Sequence, residues 1–341
     1  MSRKIILDTS RIIIRLFLLA AFVLIGIYCS RSSGPDPEQG FRVGLIFGEG
    51  GKDDNSFNAN AWQGAIRARD DFGVLVKDVE TGNPSIIEPT VRTFAEQEYD
   101  LIVGVGFAIK SAIEKVAPEF PDANFVIIDT RIDLPNAASL IFEENEASYL
   151  VGIIAGMLTE TGVIGYIGGM KMPIIERVYR AYEAGAKYID PDIRVIEHYA
   201  GVTISAFSDP AKGKELALDQ ISQGADIIYQ AAGATGMGVF DAVVERNKKA
   251  IGSDSNQNSL RPGFILTSML KKLDVALYEI IRESVRESFR PGIHVFDLEN
   301  NGVGYALDEH NRDLIPEEVL RKVEEVRQKI IEGAIKVPDY K

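Results

Sequence analysis

From residue 41 onward, short apolar runs alternate with segments whose apolar positions repeat at helical spacing. Residues 41–47, 100–105 and 124–128 are apolar enough for buried strands. Residues 60–71 and 86–98 have the i, i+3, i+4 spacing of amphipathic helices. Strands that alternate with helices in this way predict an α/β fold with a parallel sheet covered on both faces.

The same alternation begins again after residue 145, without a detectable sequence repeat of the first half. Predicted strands at 194–199, 226–229, 249–252 and 264–269 are separated by predicted helices. Two such sets predict two Rossmann-like lobes with parallel sheets. Ligands of these folds bind beyond the carboxyl ends of the strands, so we expect a cleft between the lobes.

Residues 1–28 have the pattern of a signal peptide. Basic residues between Arg3 and Arg15 precede thirteen unbroken apolar residues, 16–28. A transmembrane helix needs roughly 20 apolar residues, whereas a run of this length is typical of a signal-peptide core. The run ends at Cys29, which is the only cysteine. We therefore predict cleavage before Cys29, lipidation of that residue and a location in the cell envelope.

Two features bear on this prediction. Tyr28 is an unusual residue to precede a lipidated cysteine, and the small residues Ser30 and Ser32 offer a site for ordinary secretion instead. Residues 29–40 are short, polar and rich in Ser, Pro and Gly, which is typical of a flexible tether. A lipid on Cys29 and this tether would hold the folded part just off the membrane surface.

Composition restricts the partners. The 341 residues are 46% hydrophobic and 26% charged, as in ordinary globular proteins, and the length suggests about two domains. The formal net charge is −13 although the N-terminus is basic. An acidic body repels nucleic acid and anionic lipid, so we expect no nucleic-acid partner.

The glycine-rich stretch "GEGGKDDNSFN", residues 48–58, is not a phosphate-binding loop. A Walker A motif requires Ser or Thr after its lysine, but Asp53 follows Lys52, and Ile46 stands where the first glycine should be. Catalytic motifs have little support either, since no histidine lies near a nucleophile or in a metal-ligand spacing. We expect neither catalysis nor a cofactor nor a metal ion.

Aromatic, polar and charged residues follow the predicted strands. Taken singly, each has a plainer interpretation as a turn, cap, core or surface residue. Their shared position at strand ends favours one cleft. The candidate ligand-binding residues are Asp54, Phe57, Asn58, Phe107, Asp129, Phe207, Gly233, Asp254 and Lys271.

These residue types favour a neutral, planar ligand that carries hydroxyl groups. Phenylalanine faces suit a planar ring, and carboxylates accept hydrogen bonds from N–H groups and sugar hydroxyls. The single lysine, Lys271, is balanced by the aspartates, so an anionic ligand is not favoured. A nucleoside fits better than a nucleotide or an amino acid.

Seven motifs in order together resemble the basic membrane protein family of substrate-binding lipoproteins, from about Arg42 to the C-terminus. They include "GGKDDNSFNANAWQGA", "FEENEASYLVGIIAG", "IGSDSNQ" and "ILTSMLKKLD". The resemblance implies a type I periplasmic-binding-protein fold whose lobes are joined by hinge crossovers. It implies lobes of 41–144 plus about 273–300 and of 145–272 plus about 301–341. It also implies a monomer that delivers purine nucleosides to an ABC importer permease.

The resemblance also implies roles for individual residues. Phe57 and Phe207 would sandwich the base, with Asn58 beside Phe57, and Asp129 would bind the base edge. Asp54 matches the aspartate of the first loop. The residues expected to hold the ribose are Gly233, Asp254 and Lys271.

Other functions stay open at this point. The same fold could bind riboflavin or another planar ligand, since family members differ in ligand. An exported nucleoside hydrolase would need a metal held by clustered aspartates, and only Asp53 and Asp54 adjoin in the sequence. A surface adhesin or antigen could coexist with ligand binding.

Overall fold

The computed structural model describes residues 40–48 and 50–339. Within them the chain forms two six-stranded sheets with helices packed around each. The predicted signal peptide, Cys29 and nearly all of the predicted tether lie outside the described residues. None of the helices in the described part has both the length and the apolar character to cross a bilayer.

The first sheet is parallel throughout and has the strand order β11-β5-β4-β3-β1-β2. Its strands are β1 (Arg42–Phe47), β2 (Leu75–Glu80), β3 (Leu101–Val105), β4 (Asn124–Ile128), β5 (Ala137–Phe142) and β11 (Gly292–Phe296).

The second sheet has the corresponding order, β12-β10-β9-β8-β6-β7, and is parallel except for the antiparallel pair of β10 and β12. Its strands are β6 (Val163–Met170), β7 (Arg194–Gly201), β8 (Ile227–Ala231), β9 (Lys249–Asp254), β10 (Ile265–Lys271) and β12 (Val303–Tyr305).

Helices pack on both faces of the sheets. In β1, Leu45 and Phe47 point into one apolar core and Ile46 into another, and all three are fully buried. Burial on both faces explains why the central strands are continuous apolar runs. The helices are α1 (Phe57–Phe72), α2 (Ile87–Glu96), α3 (Lys110–Val116), α4 (Glu144–Leu158), α5 (Pro173–Ile189), α6 (Pro210–Ser222), α7 (Gly236–Glu245), α8 (Leu273–Val285) and α9 (Glu317–Ile331).

The chain passes between the two sheets three times within the described residues: after β5, after β10 and after β11. The α/β prediction with two parallel-sheet lobes joined by crossovers is confirmed. Strands β11 and β12 were not predicted. In β11, Ile293 is 52% exposed and Val295 is 41% exposed, so this strand has no apolar run that marks it.

Several predicted boundaries were wrong near the cleft. Helix α1 begins at Phe57 rather than at residue 60, because the Asp54 carboxylate accepts hydrogen bonds from the backbone N–H groups of Asn58 and Ala59. Strands β9 and β10 extend to Asp254 and Lys271. These two residues therefore end their strands instead of following them.

Helix α1 packs closely against α8 at Gly64. A Cβ atom on Gly64 would lie 2.4 Å from the carbonyl oxygen of Asp274, which real side chains do not tolerate. We expect Gly64→Ala to lower the free energy of unfolding by about 1–3 kcal/mol through overpacking, measured by urea denaturation. Gly304→Ala is the matched control, since no atom lies within 4 Å of a Cβ there. Equal stability of the two variants would contradict the close packing.

Candidate functional site

A cavity lies where the carboxyl ends of strands from both sheets meet. About 900 Å³ of space free of protein atoms lies within it, a volume that includes its open mouth. The structure brings all nine predicted site residues to its lining: Asp54, Phe57, Asn58, Phe107, Asp129, Phe207, Gly233, Asp254 and Lys271.

Three half-buried phenylalanines supply the aromatic surface of the cavity. Phe57 is the first residue of α1, and Phe107 follows Gly106, whose φ of 95° favours glycine. The Phe207 ring lies against the backbone of Gly169, where a Cβ atom would meet ring carbons at 2.3 Å. Glycine at position 169 is therefore required for the position of the Phe207 ring.

A buried ion pair joins the two lobes at the floor of the cavity. The Lys271 ammonium, at the end of β10, lies 2.6 Å from both carboxylate oxygens of Asp129, which follows β4. It donates a hydrogen bond to Oδ2, while Oδ1 has no aligned donor among the described residues. The side chains are only 4% and 11% exposed. Asp129 Oδ1 is therefore held by the charge of the ammonium without an aligned hydrogen bond.

Burial determines the protonation of this pair. Burial raises the pKa of Asp129 to about 6, although the positive charge of Lys271 opposes the shift. Burial also disfavours the charged form of Lys271, but Asp129, Glu144 and Asp254 outweigh it and raise the pKa of the lysine. At neutral pH the site therefore holds a charged ammonium among carboxylates.

Asp129 and Asp254 occupy corresponding places in the two sheets. Asp129 follows β4 and Asp254 ends β9, which are the third strands in the matching strand orders. Both have left-handed backbones, with φ of 69° and 66°. Such conformations are uncommon for residues other than glycine and often occur at functional sites.

Asp254 also connects the lobes. Its Oδ2 accepts a 2.8 Å hydrogen bond from Ser56 Oγ, and its carbonyl accepts one from Asn60 Nδ2 at 3.0 Å. Burial raises the pKa of Asp254, and the Lys271 charge partly offsets this shift. One side of the cleft is thus already closed by direct contacts between loops of the two lobes.

The Asp54 carboxylate is used largely by its own loop. Its oxygens accept hydrogen bonds from the N–H groups of Ser56, Asn58 and Ala59 at 2.8–3.0 Å. Asn58 Nδ2 in turn donates to the carbonyl of Gly51 at 3.0 Å. These bonds fix the glycine-rich loop and the start of α1, and thereby hold Phe57 at the cavity.

Sequence reasoning missed Glu144 and an aliphatic wall. Glu144, the first residue of α4, is 2% exposed and lies 3.5 Å from the Lys271 ammonium. The sequence shows a glutamate at the start of a long apolar helix. That pattern is typical of an ordinary helix N-terminus, so it does not by itself indicate a cavity residue. The aliphatic and methionine side chains of the wall are Met172, Ile174, Ile175, Val178, Ile204 and Met269.

The carboxylates here surround an ammonium group rather than an open cation site. Across residues 40–48 and 50–339, no group of three or more His, Cys, Asp or Glu side chains could hold a metal ion. Asp129, Glu144 and Asp254 instead all act on Lys271. The arrangement suits hydrogen bonding to a neutral ligand better than activation of a water molecule.

Comparisons with known proteins agree with this architecture. Residues 41–341 match the model of the Bmp family, described as ABC transporter substrate-binding protein PnrA-like. The chain is 34% identical to a CD4+ T-cell-stimulating antigen of Listeria innocua, over 94% of this chain and 96% of that protein. It is 31% identical to the ABC transporter nucleoside-binding protein BmpA of Lactococcus lactis, over 87% and 89%.

A solved ABC transporter solute-binding protein from Aeropyrum pernix is 33% identical, with a TM-score of 0.80, over 87% of this chain and 94% of that one. The predicted resemblance is confirmed at the level of the family, whose model is described as an ABC transporter substrate-binding protein. The chain belongs to the Bmp family of ABC transporter substrate-binding proteins.

Proposed function

We propose that this protein is a lipid-anchored receptor that captures purine nucleosides between its lobes for an ABC importer. The observation that carries the proposal is the meeting of Phe57, Phe107 and Phe207 with the buried acceptors of Asp129 and Asp254 in one cavity. Aromatic faces bind a planar base, and carboxylates bind its N–H groups and sugar hydroxyls. The nucleoside-binding name of the Lactococcus relative supports it.

The charges in the cavity favour a nucleoside over a nucleotide. Asp129, Glu144 and Asp254 carry three carboxylates against the single ammonium of Lys271. A phosphate group would add negative charge to a buried site that already has an excess of it, which is costly at low dielectric. An uncharged ligand with hydrogen-bond donors avoids this repulsion.

We assign Asp129 to the base edge and Asp254, Lys271 and Gly233 to the ribose. Asp129 Oδ1 supports the first assignment, because it contacts the Lys271 ammonium without an aligned hydrogen bond and a base N–H could donate one to it. Because Asp129 and Lys271 come from different sheets, a ligand bound to both would hold the lobes together. The lobe limits given in the sequence analysis and the anchor at Cys29 belong to the same proposal.

Guanosine binding is expected to weaken as the pH falls through about 6. The Asp129 carboxylate accepts stronger hydrogen bonds from base N–H groups when it is ionised, so its protonation weakens these bonds. Binding at about pH 5 should be about tenfold weaker than at about pH 7, as one linked proton implies. Isothermal titration calorimetry at the two pH values measures the change, with circular dichroism to show that the fold persists.

Asp129→Asn is the matched control for this pH dependence. The variant keeps the side-chain size but has no titrating group, so its weaker binding should not vary between the two pH values. It should also distinguish guanosine from adenosine less than the natural protein does. An unchanged guanosine affinity of the natural protein at both pH values would contradict the role of Asp129.

Mass spectrometry tests the proposed function. The chain from Ser30 onward is purified gently, and any small molecule that it retains is identified under native and denaturing conditions. An intact, stoichiometric purine nucleoside supports the proposal and argues against a hydrolase. A riboflavin mass overturns the assignment of purine nucleosides as the ligand. A protein that arrives empty and also fails to bind added guanosine, inosine and adenosine overturns the proposed function.

A further inference from the structure

Glu144 is a fully buried carboxylate at the junction of the two lobes. It begins α4 directly after the crossover that leaves β5. Its Oε1 accepts hydrogen bonds from Arg177 of α5, from Nε at 3.0 Å and from Nη2 at 2.5 Å. Arg177 also donates to the carbonyl of Phe142 at 2.7 Å. This half of the carboxylate is firmly held.

The other oxygen of the Glu144 carboxylate lies beside Lys271, and both residues line the cavity. Oε2 lies 3.5 Å from the Lys271 ammonium and has no aligned hydrogen-bond donor among the described residues. An array of alternating charges thus runs from Arg177 through Glu144 and Lys271 to Asp129. Glu144 supplies a second acceptor to an ammonium that is already paired with Asp129.

We propose that Glu144 makes the cavity select uncharged ligands over anionic ones, because it keeps the Lys271 ammonium engaged with carboxylates and adds a buried negative charge. The inference rests on the proposed function and adds the residue that sets its charge selectivity. Glu144 acts on the ligand through Lys271, which it helps to position, and through the electrostatic field of its own negative charge. It is therefore a specificity-determining residue.

Every charged group that faces this point belongs to the argument. Asp129 and Asp254 approach Lys271 from the strand ends. Arg177 holds Glu144 and also contacts the carboxylates of Glu143 and Asp339. With Glu144 neutral, Lys271 has one carboxylate fewer around it and the cavity has one negative charge fewer. Both changes make an anionic ligand more acceptable.

Glu144→Gln tests this inference, since glutamine preserves the size of the side chain and an oxygen for Arg177. The probes are guanosine and xanthosine, two similar nucleosides of which xanthosine carries a negative charge on its base at slightly alkaline pH. Calorimetry at about pH 7.5 measures the ratio of their affinities. The ratio favouring guanosine is expected to fall about tenfold in the variant, the scale of one nearby buried charge.

Glu143→Gln is the matched control. Glu143 is the preceding residue and contacts the same guanidinium at 3.3 Å, but it does not line the cavity. Its variant should keep the guanosine-to-xanthosine ratio of the natural protein. Equal changes in the two variants would show a general effect of disturbing Arg177 and overturn the inference.

The pH dependence of guanosine binding gives a second readout that a purely structural role would not change. The negative charge of Glu144 contributes to the raised pKa of Asp129. In Glu144→Gln, the loss of guanosine binding should therefore occur at lower pH than in the natural protein. An unchanged pH dependence together with an unchanged affinity ratio overturns the inference while leaving the proposed function intact.

If Glu144→Gln does not fold, Glu144→Asp retains the charge but withdraws it by one methylene from Lys271. Its affinity ratio should then fall less than tenfold but remain below that of the natural protein, and a ratio equal to the natural one overturns the inference. A natural protein that binds neither probe, and neither inosine nor adenosine, overturns the proposed function, and this inference with it.

Discussion

Replacing Phe57 and Phe207 together by alanine is expected to abolish measurable guanosine binding. Stacking of a base on an aromatic side chain contributes roughly 1–3 kcal/mol per contact, so each single variant should bind roughly 5- to 150-fold more weakly. Both rings line the cavity, one from each lobe. Their loss would remove both rings that are proposed to sandwich the base and would leave only Phe107 of the three cavity phenylalanines. Calorimetry of the single and double variants measures the effect.

Phe264→Ala is the control for the stacking experiment. Phe264 is also half-buried but lies under the Lys249 ammonium, and it does not line the cavity. Its variant should bind guanosine as the natural protein does. If both Phe57→Ala and Phe207→Ala retained full affinity, the base would not lie between these rings.

The second large effect is expected from Lys271→Met. This change removes the cation that Asp129, Glu144 and Asp254 share, and of the three Glu144 still has Arg177 as a partner. Removing one partner of a buried ion pair costs roughly 3–5 kcal/mol, because an uncompensated charge remains in the interior. The free energy of unfolding at neutral pH, measured by urea denaturation, should fall by this amount, and guanosine binding should be lost.

The loss of stability in Lys271→Met should be smaller in mild acid. Burial already raises the pKa of Asp129 and Asp254, and the Lys271 charge now opposes that shift. Without the lysine, these pKa values rise further, so the folded protein is penalised where the carboxylates are ionised and is relieved as the pH falls. Lys272→Met, one residue along and away from the cavity, is the matched control. A neutral-pH stability equal to that of this control would show that Lys271 does not compensate the carboxylates.

Much of the fold could be predicted because central parallel strands are buried on both faces. Segments such as β3 and β4 contain almost only apolar residues. Short, continuous apolar runs of this kind are typical of strands that are buried on both faces. The edge strands β11 and β12 lack this signal. In β11 the exposed residues Ile293 and Val295 alternate with less exposed ones. This segment forms a strand because its backbone pairs with β5. That pairing joins residues far apart in the sequence.

The site was predictable where its residues lie at strand ends, because these ends meet at one edge of a parallel sheet. Glu144 and most of the aliphatic wall come instead from the first turns of helices and from a loop after β7, while Met269 lies within β10. Their approach to the cavity depends on how the crossovers join the two sheets. The local hydrophobic pattern records that a helix starts at Glu144, but it does not record which side chains of the other lobe the glutamate meets.

The matching positions of Asp129 and Asp254 in two sheets of the same strand order make the cavity a composite of two modules. Each module ends a strand in a sharp turn that presents one carboxylate. Under the proposed function, ligand preference can therefore be redesigned in one module at a time. Substitutions around Asp129 would change recognition at one end of the ligand, while the contacts of Asp254 at the other end stay the same. Libraries of variants with substitutions in only one module would make use of this separation.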